Sequence, residues 1–473
     1  MLKHLQIRNF KGWKDTGPIR MAPITLFFGA NSSGKSSIGQ FLMMLKQTVE
    51  SPDRKAVFYP GGKNSAVQLG TYQEMVFHRD PANKISFEYK WVPALPQKVK
   101  DPISGNNFVG DELSFNAEIG KGADGQPSIR VEQLMYHLWD GASESLKVGM
   151  TFGADKGANY KAIWDGYDLI RQKGRPWSFK APIRFYGFPE EMVAYHQNAE
   201  FVQDLNLQHE KLFGLLSFLG PLRTKAERLY SWTGIEPESV GYSGENTVAA
   251  ILAASSRKIG LLKPGARKAS PAKPFEEVIA LKLLEMNLIT DFSVKAIAEE
   301  RQEYEVKVRT KGSSDWVDLP DVGFGISQVL PVLVQCFYAP PGSIILMEQP
   351  EIHLHPSAQS ALADVMIDVI KSRENGEDRN IQLIIETHSE HFLRRLQRRI
   401  AEGAVSQDDV SAYFANITKT PAQLEPLKID PFGNIRNWPE NFFGDEMADI
   451  TAQSRAAVKK RMEKAAESPE SYK

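Results

Sequence analysis

The chain has 473 residues, which is too long for one compact core and predicts two or three domains. Hydrophobic residues make up 42% and charged residues 24%, as in an ordinary globular protein, and the net charge of −1 excludes a global basic field for nucleic acid but leaves a local basic patch open. The sequence has no apolar run of about 18 residues and no signal-peptide core, so we expect no membrane segment. The single cysteine, Cys336, cannot form an internal disulfide, which predicts a small buried hydrophobic residue in a protein of the reducing cytoplasm.

The N-terminal segment predicts strands that lead into a phosphate-binding loop. Residues 2–28 predict two or three strands with a turn at 15–18, the last being the apolar run 24–28. Residues 29–36, here called the phosphate loop, read Gly-Ala-Asn-Ser-Ser-Gly-Lys-Ser and match G-x-x-x-x-G-K-[ST]. An apolar helical pattern follows over 37–46, so backbone N–H groups and the helix dipole converge on a phosphate. The residues predicted to bind the nucleotide here are Gly29, Asn31, Ser32, Ser33, Gly34, Lys35, Ser36 and Ser37.

Within the phosphate loop, two side chains have specific predicted roles. The Lys35 ammonium would reach the β- and γ-phosphates of ATP, and the Ser36 hydroxyl would hold Mg²⁺. The predicted cofactors are therefore ATP and Mg²⁺.

The middle of the chain changes character several times. Residues 50–62 predict a loop, and short alternating runs over 84–187 predict antiparallel strands separated by Gly, Asp, Asn and Pro clusters. Residues 189–219 predict helix. Residues 256–274 form a basic, Pro- and Gly-rich linker, which favours either a plain solvated loop or a loop that follows a phosphate backbone.

The second nucleotide-binding half contains three further segments. Residues 321–328, the signature segment, place glycines and a serine at the start of an apolar helix. Residues 343–348 form an apolar strand that ends in Glu348, which is the Walker B arrangement. After a predicted helix over 358–370 and a polar loop over 371–380, residues 381–385 predict another apolar strand, and Glu386-Thr-His-Ser389, the switch segment, follows it.

Four motifs in this order resemble an ABC-type ATPase head. The opening segment 2–12 also resembles that of RecF, SMC and OLD-type ATPases, and residues 350–356 resemble the OLD and RecF type. The resemblance implies that Gly325 and Ser327 contact the γ-phosphate held by another subunit, that Glu348 binds Mg²⁺ and that His388 senses the γ-phosphate. It also implies a glutamine that touches the metal or the attacking water, and Gln73 is the first candidate and Gln68 the second.

The acid that handles the attacking water departs from the family pattern. Most ABC ATPases have Asp-Glu at the end of the Walker B strand, whereas this chain has Glu348-Gln349. Gln349 can orient a water but cannot accept a proton, so Glu351 is the nearest alternative carboxylate, and its competing interpretation is a structural acid before the next helix. We expect slow hydrolysis, with Glu386 as the base if neither residue acts. We expect His353 and His355 to serve packing or dimer contacts.

These patterns predict an α/β fold: an ABC-type P-loop ATPase head with a mixed sheet and an inserted β-rich and helical lobe. The predicted segments are 1–62 with the phosphate loop, 63–273 as the inserted lobe, 274–406 with the other motifs, and 407–473 as a small C-terminal element. No cluster of paired acids follows His388, so we expect no TOPRIM nuclease.

By resemblance the chain is grouped with OLD-like and PARIS AriA-like proteins of bacterial anti-phage systems. This implies a homodimer or higher oligomer that sandwiches ATP, a separate effector such as a nuclease or toxin, and a phage protein as the trigger. The alternative is a DNA-repair or chromosome-maintenance ATPase of the RecF or SMC kind, which leaves DNA binding open.

Overall fold

The structure is a computed structural model that describes residues 1–122, 129–153, 159–174, 178–262, 270–298, 301–416, 421–439, 442 and 446–467. For residues 446–450 and 463–467 it describes the backbone alone. Residues 263–269, the centre of the basic linker, lie outside these ranges. No helix in the described ranges is both long enough and apolar enough to cross a membrane.

The described residues form 24 strands and ten α-helices. The strands are β1 (Leu2–Phe10), β2 (Trp13–Asp15), β3 (Ile19–Arg20), β4 (Ile24–Gly29), β5 (Ile85–Trp91), β6 (Gln97–Lys100), β7 (Asn107–Gly110), β8 (Glu112–Lys121), β9 (Ile129–Asp140), β10 (Ser143–Gly153), β11 (Asn159–Asp165), β12 (Leu216–Leu219), β13 (Tyr230–Ser231), β14 (Lys258–Gly260), β15 (Lys273–Pro274), β16 (Asp291–Ala296), β17 (Glu303–Arg309), β18 (Val317–Asp318), β19 (Ile344–Glu348), β20 (Arg373–Glu374), β21 (Glu377–Asp378), β22 (Gln382–Glu386), β23 (Val410–Asn416) and β24 (Gln423–Pro426). The helices are α1 (Lys35–Glu50), α2 (Tyr72–Met75), α3 (Glu190–Ala194), α4 (Phe201–Gly214), α5 (Thr247–Ala253), α6 (Phe275–Glu285), α7 (Phe324–Tyr338), α8 (Pro356–Ile370), α9 (Glu390–Ala401) and α10 (Glu446–Glu467).

A six-stranded sheet, the central sheet, has the order β12-β19-β22-β4-β23-β24. Its strands pair in parallel except for the antiparallel pair β23–β24. Strands buried on both faces need continuous apolar runs, which is why the runs that become β4, β19 and β22 could be recognised in the sequence. The predicted α/β fold class with a mixed sheet is confirmed.

The two faces of the central sheet pack against different layers. Along β19, Ile344 and Leu346 belong to the same core cluster as the apolar side of α1. The alternate residues Ile345 and Met347 belong to the second cluster, with the buried faces of α7, α8 and α9. Because successive side chains of a strand point to opposite faces, one short strand anchors both layers.

An antiparallel sheet of eight strands covers α1 from the other side. Its order is β11-β10-β9-β8-β5-β1-β2, with β3 also paired to β1. Rings link this sheet to α1: the Phe41 ring lies 5.1 Å from Phe10 and 5.0 Å from Phe87 between centroids. The antiparallel strands expected over 84–187 are present. Strands β5 and β8 to β11 form one sheet with the N-terminal strands, whereas, among the described strands, β6 and β7 pair only with each other.

The sheets therefore cross the predicted segment boundaries. The central sheet takes β12 from within the predicted lobe 63–273, and it takes β23 and β24 from the predicted C-terminal element 407–473. In β23, Val410 to Ala415 pair with Ile24 to Gly29 of β4. Pairing between distant segments leaves no compositional mark at a boundary, so the sequence pattern could not show it.

Residues 371–380, which were expected to form a polar loop, contain a hairpin whose strands are too short, at two residues each, to show any periodicity. Strands β20 and β21 pair with each other, and β20 also pairs with β14. The fully buried Arg379 follows the hairpin and donates to the carbonyl oxygens of Phe337 and Ala339 at the end of α7. Cys336 is fully buried beside them, as predicted. A cation interacts favourably with the negative end of a helix dipole, so Arg379 stabilises the C-terminus of α7.

Candidate functional site

The phosphate loop joins the end of β4 to the start of α1. Gly29 and Gly34 have φ values of 142° and 89°, which L side chains rarely adopt. A Cβ atom at Gly29 would lie 2.7 Å from the carbonyl oxygen of Ala415, and one at Gly34 would lie 3.2 Å from the Trp13 ring. Both glycines are therefore required by backbone conformation and by space, and the N-terminus of the 16-residue α1 opens onto the loop.

Trp13 supports this loop from the antiparallel sheet. Its indole N–H is 3.1 Å from the carbonyl oxygen of Gly34 and 2.9 Å from the Ser37 hydroxyl oxygen, both of which accept from it. Trp13 is fully buried. The sequence pattern does not indicate this role of Trp13, because its contact depends on the tertiary packing of β2 against the phosphate loop.

The Lys35 side chain is buried and turned toward its own loop. The Nζ atom donates to the carbonyl oxygens of Gly29 and Ala30 at 3.0 and 2.7 Å. It also lies 3.9 Å from Oε1 of Glu386. Burial lowers the pKa of Lys35, and the Glu386 carboxylate opposes that effect. A buried ammonium in a loop of backbone N–H groups suits an anionic phosphate.

Two carboxylates lie side by side where β19 and β22 end. Glu348 and Glu386 are paired in register, so their side chains point to the same face of the central sheet. The Ser36 hydroxyl donates to Oε1 of Glu386 at 3.0 Å. Burial and, second, the charge of Glu386 raise the pKa of Glu348 to about 7. A hydroxyl and two carboxylates are the hard oxygen ligands that Mg²⁺ prefers, so these residues fit the cation.

Glu351 is occupied by other partners. Its Oε1 atom accepts from the Thr387 hydroxyl at 2.7 Å and from the His388 backbone N–H at 2.9 Å. Burial raises the pKa of Glu351, and these two hydrogen bonds oppose the rise. Glu351 thus connects the turn after β19 to the switch segment. These hydrogen bonds favour a structural role for Glu351 over a role as the catalytic base.

Arg223 lies beneath the same turn. It is 8% exposed, and its Nη2 atom is 3.4 Å from the carbonyl oxygens of both Glu348 and Gln349. Burial lowers the pKa of Arg223 to about 10, and Glu351 opposes this effect. Arg223 therefore supports the turn after β19 from inside the fold.

The phosphate loop borders a cleft of about 520 Å³. Most of the residues predicted to act on ATP lie together in it. The lining residues are Lys11, Gly12, Asn31, Ser32, Ser33, Gly34, Lys35, Ser36, Ser37, Gln40, Gln349, Glu386, His388 and Ala422. Lys11 was not predicted; its Nζ atom donates to Oε1 of Gln40 at 2.6 Å. Burial lowers the pKa of the half-buried His388, and Lys35 lowers it further.

Four other predicted residues lie away from the cleft. Gln73 lines a separate cavity of about 770 Å³ beside α2, and Gln68 donates to the carbonyl oxygen of Lys63. In the signature segment, the Ser327 hydroxyl donates to the carbonyl oxygen of Phe324, and Gly325 approaches the His353 carbonyl. Within one chain the structure therefore does not bring these four residues to the cleft.

The two histidines after the Walker B strand have ordinary surroundings. His355 caps α8, since its Nδ1 accepts from the Ser357 backbone N–H. The His353 ring lies 6.3 Å from the exposed Phe324 ring. In the described part of the chain, no group of three or more His, Cys, Asp or Glu side chains has the arrangement of a metal site built from protein ligands alone.

The fold and the cleft combine a mainly parallel sheet with a phosphate loop at the start of a helix, which is the arrangement of a P-loop site. Comparison with protein families gives two partial matches. The family described as "AAA domain, putative AbiEii toxin, Type IV TA system" matches residues 270–394, and "Protein of unknown function (DUF3696)" matches residues 405–453. No curated protein matches the chain.

Several solved structures are similar in arrangement at low identity. The SMC head domain from Thermotoga maritima has 10% identity and a TM-score of 0.39, covering 90% of this chain and 99% of its own. An SMC head bound to the C-terminal winged-helix domain of ScpA has 11% identity and a TM-score of 0.43, with coverages of 91% and 98%. A third, an SMC head with an extended coiled coil bound to the C-terminal domain of ScpA derived from Pyrococcus furiosus, has 10% identity and a TM-score of 0.42, with coverages of 90% and 96%.

Proposed function

We propose that this protein binds ATP in the phosphate-loop cleft and hydrolyses it slowly. The observation that carries the proposal is the meeting of Lys35 and Ser36 with the Glu386 carboxylate at one edge of the central sheet, where Glu348 is the neighbour of Glu386 on the next strand. The strand ends come from segments far apart in the chain, so their convergence is a property of the fold and not of any single motif.

Each residue has a distinct task in this proposal. The backbone N–H groups of the phosphate loop and the Lys35 ammonium bind the β- and γ-phosphates. Ser36 and Glu348 hold Mg²⁺, which supplies charge neutralisation at the phosphates when bound. His388, which lines the cleft, contacts the γ-phosphate.

We attribute the slow rate to the residues that follow the Walker B strand. Gln349 lines the cleft, and its amide orients a water without accepting its proton. The Glu351 carboxylate already accepts two hydrogen bonds from the switch segment. The cleft therefore lacks the Glu that follows the metal-binding acid in most ABC ATPases.

We also propose that the site is completed by a second copy of the chain. Gly325 and Ser327 lie at the start of α7, away from the cleft of their own chain, and the adjacent Phe324 is 67% exposed. A two-fold symmetric pair would apply the signature segment of each subunit to the nucleotide of the other. The working unit is then a homodimer or a higher oligomer.

The biological role that we propose is a sensor or scaffold of an anti-phage system. It rests on the resemblance to OLD-like and PARIS AriA-like proteins and is supported by the partial match to the AbiEii-type AAA family. The ATP-bound assembly would control a separate effector such as a nuclease or toxin, with a phage protein as the trigger. Slow hydrolysis suits an assembly that must persist until the trigger arrives.

Phage plating on cells that express this gene with its neighbouring genes tests the role. We expect protection with the wild type, none with Lys35→Ala, and full protection with Lys14→Ala, an exposed lysine of β2 outside the cleft. The competing role, DNA repair or chromosome maintenance, predicts no protection, together with duplex-DNA binding that weakens steeply with salt.

A further inference from the structure

A second acid, Glu386, lies closer to the phosphate loop than the Walker B acid does. Strand β22 sits between β19 and β4, and Glu386 pairs with Phe27 on one side and with Glu348 on the other. Glu348 is therefore one strand further from the loop. Among the hydrogen bonds of the described residues, the Ser36 hydroxyl donates to Glu386, and none joins it to Glu348.

The partners of Glu386 belong to the phosphate site itself. Its carboxylate is 3.0 Å from the Ser36 Oγ and 3.9 Å from the Lys35 Nζ, and it lines the cleft. Its backbone oxygen accepts from the Gln349 N–H at 2.8 Å, which ties it to the Walker B turn. A purely structural acid would have no reason to lie at the hydroxyl expected to bind Mg²⁺.

The charge balance at this edge also calls for a cation. Two carboxylates, Glu348 and Glu386, lie at this edge, and the Lys35 ammonium pairs with Glu386. The other ammonium in the lining of the cleft, Lys11, donates to the Gln40 amide oxygen. A divalent cation bound between carboxylate, hydroxyl and phosphate oxygens removes the repulsion that these anions would otherwise exert on one another.

We propose that Glu386 is a Mg²⁺-site carboxylate, which holds the cation together with Ser36 while Glu348 supports it from the next strand. This proposal rests on the proposed function and deepens it, because it assigns the principal cation contact to Glu386 at the end of β22. The residue would bind the cation directly or through a bound water.

The test is calorimetry of a non-hydrolysable ATP analogue, once with EDTA and once with Mg²⁺, so that no catalytic rate is involved. In the wild type we expect Mg²⁺ to strengthen binding. Glu386→Gln is isosteric and can still accept from Ser36; we expect it to lose about 10- to 100-fold of the Mg²⁺-dependent affinity. Its affinity in EDTA should be unchanged or higher, because a negative charge near the phosphates is removed.

Three further variants make the result decisive. Glu386→Asp keeps the charge and should retain most of the Mg²⁺ effect, and Glu348→Gln should lose less of it than Glu386→Gln. Glu390→Gln changes an acid at the start of α9 that pairs with Arg394 outside the cleft, and it should behave as the wild type.

Three results would overturn the proposal. They are an undiminished Mg²⁺ effect in Glu386→Gln, an equal loss in Glu386→Asp, or a larger loss in Glu348→Gln. In each case the wild type still binds the analogue and the proposed function stands. A wild type that binds no analogue with or without Mg²⁺ would overturn both.

Discussion

The carboxylate of Glu351 accepts a hydrogen bond from the Thr387 hydroxyl at 2.7 Å, across the ends of two neighbouring strands. The same oxygen accepts from the His388 backbone N–H. One buried side chain thus sets the distance between the turn that carries Gln349 and the loop that carries His388. The two segments are therefore joined directly by hydrogen bonds to one carboxylate oxygen.

This contact separates a structural role of Glu351 from a role as base. Glu351→Gln keeps an oxygen that can accept both hydrogen bonds, whereas Glu351→Ala removes it. We expect ATP turnover close to that of the wild type in the Gln variant. The Ala variant should lose about 1–3 kcal/mol of stability, since buried donors are left unpaired, and its turnover should fall. Steady-state phosphate release and thermal unfolding measure the two effects, and equal loss of turnover in both variants would instead identify Glu351 as the base.

Lys35→Ala should abolish tight ATP binding and leave the fold intact. The variant loses a charge-assisted contact in a partly desolvated site, which costs roughly 1.5–3 kcal/mol. Titration calorimetry measures the affinity, and circular dichroism checks the fold. Lys14→Ala serves as the matched control. Unchanged affinity in Lys35→Ala would show that the phosphate-loop assignment is wrong.

Mixing two inactive variants tests the shared site. Lys35→Ala disables the phosphate loop, and Ser327→Arg disables the signature segment, so each homodimer should be inactive. A mixed dimer contains one site in which both segments are wild type, and we expect it to recover part of the ATPase activity. Native mass spectrometry confirms that mixed dimers form. If they form and no activity returns, the two segments do not meet between subunits.

Gln349→Glu should raise the rate of hydrolysis. The change places a proton acceptor at a position that already lines the cleft. Single-turnover phosphate release measures the chemical step separately from binding and product release. Gln40→Glu adds the same charge at another point of the cleft and should not accelerate the reaction. An unchanged rate in Gln349→Glu would mean that Gln349 does not face the attacking water.

The buried His209 predicts a dependence of stability on pH. Its ring nitrogens contact the hydroxyl groups of Tyr89 and Tyr136, and its ring stacks on Tyr186, whose hydroxyl donates to Glu210. Burial holds the pKa of His209 well below its usual value, so the folded protein keeps it neutral while the unfolded chain takes up a proton below about pH 6.5. The contribution of His209 to the free energy of unfolding is therefore fully present above that pH. It falls by about 1.4 kcal/mol for each pH unit below it.

Thermal unfolding of the wild type and of His209→Gln between pH 7.5 and pH 5 checks this effect. (These two pH values are about one unit above and about one and a half units below the reference value of a free histidine.) We expect the variant to be less stable at the higher pH and to have the shallower slope. Parallel slopes would assign the acid sensitivity to other groups.

The parts of the site that could be predicted are those written in contiguous sequence. The motif at residues 29–36 and the apolar runs before Glu348 and Glu386 are local patterns, which predict a phosphate-binding turn and two buried strands. The importance of Glu386 could not be recognised beyond its mention as a substitute base, because its contact with Ser36 joins segments from opposite ends of the chain. The same holds for Trp13 under the phosphate loop and for Arg223 under the Walker B turn. Short β20 and β21 have too few residues for any periodicity.

The pairing of β4 with β22 and β23 has a consequence for how the protein folds. Strand β4 ends at Gly29, whereas its two neighbours in the central sheet begin at Gln382 and Val410 and are therefore synthesised much later. Contacts between such distant segments slow folding, because a large loop must close before they form. The apolar strand β4 therefore has neither of its sheet neighbours until β22 and β23 have been synthesised, and the cleft beside the phosphate loop cannot be complete before then.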